Sequence, residues 1–597
     1  MIQSLDVRPF LLLGDLMHRR FHSPTLWFVL IFLFSACAHN PAQKQPVFIA
    51  PAEGSPAVQP SRQPTTTEIP ALTPEPLTFW ISPEVPVGIW DQADPPDGMS
   101  WAGEVVDDAV TLGISERMPP DRVVLAQSEW VFALVAPFKT TQDNVNTVDL
   151  QAAFQGSPQG GSGHLKHLAV YEGDYHSLVA LLGGASGGDV ISETITFLPD
   201  DVDNISAELN AETWAIVPFD RLQPEYKVIS VDSISPLDDD FALHAYALKG
   251  VYSLYTVEAT AIRIPEETRF ALIAALPVTN RDPGKLTTLV MTGVTALVRA
   301  TAYTMEVKGI TYPARDIVDW LSTADITHIS NEVSFYEGCP DPDPSYGSLS
   351  FCSHPKYMAL LDFLGADVIE LTGNHNNDAY RMFDVDVVPS TLALYEEHNM
   401  LYFGGGLNLE DSMQPAIIEH NGNKLAFIGC NAAGPDFAWA TETSGGSAPC
   451  EDFVWMEKEI SRLKQEGYLP IATFQYYEDY NNYASPQMKE DFRRMAEAGS
   501  VIVNGSQAHR PKELEFINGA LIHYGLGNLF FDQMTIEVNG VTYTQTRNEF
   551  IQRHVFYNGK YISTELLTAV LEDYAKPRPM TFEERQIFLD EIFSVRE

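Results

Sequence analysis

The chain has 597 residues, with 37 Lys and Arg against 80 Asp and Glu, which gives a formal charge of −43. Such a surplus of acid repels phosphate backbones, because nonspecific nucleic-acid binding works through Lys and Arg displacing counterions, so no nucleic acid is expected as a partner. With 45% hydrophobic and 11% aromatic residues the chain has apolar area for folded cores, and its length fits about three to four domains.

Thr25–Ala36 is an apolar run of 12 residues behind the basic group His18, Arg19 and Arg20, and it ends in small residues before Cys37. This is the layout of a signal peptide, too short to stay in a bilayer as a spanning helix. Met17 is the better-placed start for it, so residues 1–16 are expected to have no part in export. The string Leu33-Phe34-Ser35-Ala36-Cys37 resembles a bacterial lipoprotein box, with Phe34 where Leu is usual, and the resemblance implies lipidation of Cys37. Nine prolines between Pro41 and Pro76 cannot bury a core and read as an extended tether. Residues 1–36 are thus expected to be the signal and 37–76 the tether of an extracytoplasmic protein held to the cell membrane by lipid.

The other four cysteines agree with export. Cys339 and Cys352 bracket a Pro-rich insert, and Cys430 and Cys450 bracket a Gly-rich one. Nearest-neighbour pairing gives two loop-closing disulfides, one of three connectivities. No CxxC spacing supports the competing thiolate–metal site.

Residues 77–285 alternate strand-like runs (Trp130–Pro137, Thr213–Pro218, Lys227–Ile234) with short helix candidates (Asp149–Phe154, His176–Leu182), which predicts an α/β domain. The order and texture of these segments distantly resemble substrate-binding domains of bacterial transport systems, without a ligand-contact motif.

Residues 286–535 alternate more regularly. Strands are expected at 287–292, 326–331, 367–372, 401–403, 469–476 and 501–504, and a hairpin over 415–429 turns at Asn421-Gly422-Asn423. Helices are expected at 315–323, from Pro355 to Phe363, and at 387–398, 451–467 and 485–499. Residues 536–597, with a strand at 565–571 and a helix near 582–594, read as an extension of the same domain.

Several strands end in polar clusters, where open α/β sheets place their sites. One end delivers Asn374, His375 and Asp378 into a single loop, and another delivers Glu332. A third exposes Gln507, His509 and Arg510, and a fourth is Gly525-Leu526-Gly527-Asn528, whose glycines permit close backbone approach. Amide oxygen, imidazole and carboxylate in such loops suit a divalent metal or acid–base chemistry. Singly, each cluster has an ordinary explanation in loop hydrogen bonding; their recurrence at strand ends is what marks a site.

The ordered motifs ISNE, TGNHNND, YFGGGLN, FIGCN, ATFQYYEDY, NGSQAHRP and HYGLGNLFFDQ, spread over about 290–535, resemble the CapA family of bacterial poly-γ-glutamate capsule proteins. The resemblance implies a calcineurin-like metallophosphatase fold, a two-sheet sandwich flanked by helices, with metal ligands on the loops at strand ends. It places Asn374, His375 and His509 on metal-ligand positions, and Glu332 and Asp378 on the family's acidic positions. Three departures stand against a full centre. Val294 follows Gly293 where the family has Asp, Gln475-Tyr476-Tyr477 replaces His-Trp-Gly, and Gly505-Ser506-Gln507-Ala508-His509 replaces Gly-His-His-Pro-His. A two-metal clamp needs a bridging anion and several ligands per ion, so at most one divalent ion is expected.

The resulting expectation is a membrane-tethered envelope protein handling an extracellular polymer in capsule or poly-γ-glutamate biosynthesis or anchoring. Were it a hydrolase, Glu332 or Asp378 would be the base and His375 the acid, while Asn374, Gln475, Gln507, His509, Arg510 and Asn528 would bind substrate. The alternative is a noncatalytic lipoprotein that binds a solute or polymer. The chain's negative charge sits awkwardly with a polyanionic ligand unless the pocket is locally positive around Arg299, Arg510 and Lys512.

Overall fold

The structure is a computed structural model that describes residues 76–90, 94–156, 165–183, 194–345 and 351–595. The expected signal, Cys37 and nearly all of the tether lie outside the described residues.

The first domain is built on a mixed sheet, with ten strands among the described residues. At its centre is Val123–Pro137, a 15-residue strand whose second half, from Trp130 to Ala136, is buried throughout. The expected strands are found at Thr213–Pro218 and Tyr226–Val231, and the expected helices at Thr147–Phe154 and Tyr175–Leu182. Asn146 caps the first helix by accepting from the Asp149 amide at 2.8 Å, and Gly183 ends the second in the left-handed region that a side chain would strain. The core of this domain also takes in Leu286, Val555, Tyr557 and Ile562 from the chain beyond it.

The second domain begins with strand β1 (Leu286–Met291), followed by β2 (Ile326–Asn331), β3 (Val368–Glu370) and β4 (Leu401–Phe403). These four run parallel, and β9 (Asn548–Tyr557) and β10 (Lys560–Glu572) extend the sheet antiparallel on the far side of β1. A second sheet carries β5 (Asn423–Asn431), β6 (Leu469–Gln475), β7 (Ile502–Asn504) and β8 (Ala520–His523) in parallel. Strand β5 follows Ala416–His420 through a two-residue turn at Asn421 and Gly422, both at positive φ, as that hairpin requires.

The sheets face each other through Leu289, Met291, Phe403, Phe427, Ile471, Ile502, Leu521 and Phe550. The outer face of the first sheet packs on helices α1 (Arg299–Lys308), α2 (Met358–Leu364) and α3 (Val388–Glu397). The outer face of the second packs on α4 (Val454–Gln465) and α5 (Pro486–Ala498). This is an α/β sandwich of four layers, the architecture implied by the sequence resemblance. The expected helix at 315–323 is shorter, a helix at Val318–Ser322 preceded by a 3-10 turn at Tyr312–Ala314.

Both expected disulfides are formed, Cys339–Cys352 with Cα atoms 5.6 Å apart and Cys430–Cys450 with 5.0 Å. Among the described residues no helix is long and apolar enough to cross a membrane.

Candidate functional site

The parallel strands of both sheets deliver the polar loops to one end of the sandwich. Glu332, directly after β2, is fully buried, and its amide donates to Thr295 O at 2.9 Å. Neither of its carboxylate oxygens has a hydrogen-bond partner. Its Oε1 lies 4.0 Å from His375 Nε2 and 3.9 Å from His509 Nε2. Burial raises its pKa, and the two imidazoles beside it work in the opposite direction.

The loop after β3 passes close to Glu332 because residue 373 is glycine, where a Cβ would lie 2.6 Å from the Glu332 Cα. His375 Nδ1 pairs with Asp378 Oδ2 at 2.7 Å. Its ring stacks on Phe351, with centroids 3.6 Å apart and planes within 2°. Burial disfavours the charged imidazole, but the Asp378 hydrogen bond and the Glu332 charge outweigh it and raise the His375 pKa. The Asn374 Oδ1 is buried with no donor near it.

On the second sheet, β6 ends at Gln475 and the loop after β7 carries Ser506, Gln507 and His509. Gln507 Nε2 donates to Ser330 Oγ at 2.6 Å and Ser506 Oγ donates to Glu370 Oε1 at 2.7 Å, so this loop is tied to the ends of β2 and β3. Glu370 is itself 3.2 Å from His328, and both are fully buried. Burial alone would raise the Glu370 pKa; His328, Ser506 and Thr372 overcome that and lower it.

His509 is fixed through both nitrogens. Nδ1 bonds Asn528 Oδ1 at 2.8 Å and Nε2 faces Glu478 at 3.5 Å, while the ring stacks on Phe531. Burial opposes its protonation, but Glu478 and then Glu332 outweigh it and raise its pKa to about 9. The reciprocal effect, led by the hydrogen bond from His509, lowers Glu478 to about 2. At neutral pH these two groups are therefore an imidazolium and a carboxylate.

The structure thus brings together Glu332, Asn374, His375, Asp378, Gln507, His509 and Asn528, with Gln475 on the adjacent strand end. Arg510 is turned elsewhere, donating to Glu591 at 2.9 Å and to the Tyr480 carbonyl. The three cations that could make the pocket locally positive are each paired in place: Arg299 with Asp532, Arg510 with Glu591 and Lys512 with Asp479. Two contributors, Glu478 and Phe351, went unread in the sequence. Glu478 sits inside a quoted motif, where its neighbours gave no sign that it meets His509. Phe351 is next to Cys352, and Arg299 lies over both Phe351 and Phe531, at 4.8 and 5.0 Å. The positive φ of Arg299 (46°) was the one signal of a constrained role, and it is a structural one.

The residues do not fit a metallophosphatase-type pair of ions. Val294 is fully buried in the position of the first carboxylate and offers no oxygen from its side chain. His509 has partners on both nitrogens and His375 on Nδ1. Among the described residues, no group of three or more His, Cys, Asp or Glu is placed to hold a metal ion.

Residues 288–533 match the family described as "Bacterial capsule synthesis protein PGA_cap". The capsule biosynthesis protein CapA of Bacillus anthracis is 23% identical over 321 residues, covering 53% of this chain and 75% of that protein. The PGA biosynthesis protein CapA of Bacillus subtilis (strain 168) is 27% identical over 210 residues, covering 35% of this chain and about half, 52%, of that protein. Among solved structures, a 5'-nucleotidase precursor from Thermus thermophilus is similar at 13% identity and a TM-score of 0.28, over 51% of this chain and 58% of that one. An ABC-type phosphate transport receptor from Vibrio cholerae is similar at 16% identity and a TM-score of 0.23, over 28% of this chain and 72% of that one.

Proposed function

From the match of residues 288–533 to the capsule synthesis family and the similarity to two CapA proteins, we propose that this chain handles an extracellular polymer at the cell surface, in the biosynthesis or anchoring of capsule or poly-γ-glutamate. The observation that carries the reading is Glu332, buried and without hydrogen-bond partners between His375 and His509 at the strand ends where the family motifs fall. The two disulfides fit an oxidising, extracytoplasmic compartment. We place Cys37 as the lipidated residue, residues 37–76 as the tether, and 77–285 as the domain that captures solute or polymer ahead of the 286–597 sandwich.

In the hydrolytic form of this proposal His375, oriented by Asp378, protonates the leaving group, and Glu332 takes the proton of the attacking water. His509, held as a cation by Glu478 and Asn528, faces the charge that develops on the substrate. Gln475 and Gln507 present amide oxygens to polymer N–H or O–H groups. The second reading, a noncatalytic binder, is favoured by Val294, which removes the first carboxylate of the family pattern. Both forms place the polymer on the same residues and differ in whether its chain length changes.

The test incubates the purified protein with envelope polymer from its own source and follows polymer size by gel filtration. Shortening by the wild type that is lost in His375→Ala supports hydrolysis. Retention without shortening supports the binder, and neither retention nor shortening overturns the proposal. Anchoring is tested by labelled fatty acid, which should mark the wild type and leave Cys37→Ala unmarked.

A further inference from the structure

We propose that the cavity between the first domain and the sandwich binds a small organic cation, an ammonium group on a hydrocarbon or aromatic body, with Glu565 as its counter-ion. The cavity measures about 310 Å³, within the range of small-molecule sites. It lies along β10 just before the stretch, Ala569–Glu572, that pairs with Lys576–Pro579; the preceding residues Thr564–Thr568 line the cavity. Lys227 and Val228 of the first domain line it as well, and so do Arg585 and Leu589 of the last helix.

Its apolar wall is drawn from two packed layers of the sandwich. Trp320 and Leu567 belong to the helix-covered face of the first sheet, and Met580, Leu589 and Phe593 to the core between the sheets. An engineered apolar cavity of about 150 Å³ takes up benzene, so this one has room for on the order of twelve non-hydrogen atoms.

Four charged side chains line the cavity, and three of them satisfy one another. Asp143 accepts from Lys227 at 2.6 Å and from Arg585 Nη2 and Nε at 3.0 and 3.1 Å. Lys227 also donates to the Thr140 carbonyl at 2.6 Å, and Arg585 to the Leu566 carbonyl at 2.8 Å. Glu565 is left less well matched. Its Oε2 receives Arg553 at 3.1 Å, but Arg553 also serves Asp238 at 2.9 Å, so one guanidinium is divided between two carboxylates. Burial raises the Glu565 pKa, Arg553 offsets part of that, and Asp238 and Asp143 add to the rise. The charge that faces the cavity without a full partner is therefore negative. An anion is disfavoured there, because both lining cations are already committed to Asp143, and the −43 of the whole chain attracts cations from a distance.

The experiment is calorimetric titration of the purified full chain at about pH 8, where an alkyl amine is still charged. Three probes of one shape are used: phenylbutylamine, phenylbutanol and phenylbutyrate. The amine is expected to bind once per chain with a Kd on the order of 10⁻⁴ M, the alcohol at least about tenfold more weakly, and the acid not measurably. Glu565→Gln, which keeps the shape and removes the charge, should bring the amine down to the level of the alcohol and leave the alcohol unchanged. Ser230 also lines the cavity, so Ser230→Phe should fill it and abolish binding of both with Glu565 intact. Melting curves without probe show that each variant is folded. The proposal is overturned by an amine that does not bind, by an acid that binds as tightly as the amine, or by amine binding unchanged in both variants. None of these outcomes depends on whether the protein handles polymer.

Discussion

Asp174 is only 4% exposed, and burial, with Asp200 adding repulsion against the partial relief from Arg221, pushes its carboxyl up to about 7. A raised carboxyl pKa favours the protonated folded state, so the stability tied to this group is complete below its unfolded value near 4 and is lost as the pH rises through about 7. Asp174→Asn keeps the shape and removes the charge. It is expected to melt above the wild type at about pH 8, with the difference closing towards about pH 4; a gap independent of pH would refute the assignment. Gly373 makes the opposite kind of prediction. A methyl there meets the Glu332 backbone at 2.6 Å, so Gly373→Ala should cost about 1–3 kcal/mol by overpacking and lower the denaturant midpoint. At this scale the sequence showed which residue types meet at the site and missed how they are held. His375 is held by Phe351, 24 positions earlier, and His509 by Glu478, 31 positions earlier. Such pairings leave no local periodicity to read.

Among the elements, those with chemical punctuation were legible. The Asn421-Gly422 turn fixed its hairpin, Ser485 caps α5 by accepting from the Met488 amide, and Thr581 caps the last helix, Phe582–Phe593, in a reciprocal box with Glu584. The strand Val123–Pro137 was read only from Trp130 because its first half lies at the surface, where polar residues interrupt the apolar run. Neighbouring strands and not its own pattern keep that half extended. The Cys430–Cys450 bridge ties the end of β5 to the start of α4 across a separation of 20 residues. Replacing both cysteines with serine should cost about 3 kcal/mol in the chain-entropy account, seen as a lower denaturant midpoint. Four free thiols in the exported protein would contradict both bridges.

The whole molecule is acidic, and some of its cations form ion pairs that join the first domain to the second. Arg585 of the last helix binds Asp143, which also binds Lys227, and Arg553 binds Asp238. Tyr557 is wedged between the domains, its hydroxyl donating to the Asn280 carbonyl and its ring meeting Phe219 edge-on. Shared apolar residues of this kind couple unfolding, so calorimetry of the full chain should give one main transition. Tyr557→Ala should lower it by about 3–5 kcal/mol, and two well-separated transitions in the wild type would refute the coupling. This union was not legible in the sequence, because the residues that join the first core come from beyond position 285, where a boundary was expected.

The claim that matters most is that the Glu332 end of the sandwich handles surface polymer, and it is tested most directly in cells that lack the gene. Surface polymer, measured by amount and chain length, should differ from the parent strain, return to the parental state with the wild-type gene, and fail to return with Glu332→Gln expressed and exported at equal level. Polymer unaffected by the deletion, or restored equally by Glu332→Gln, would contradict the account.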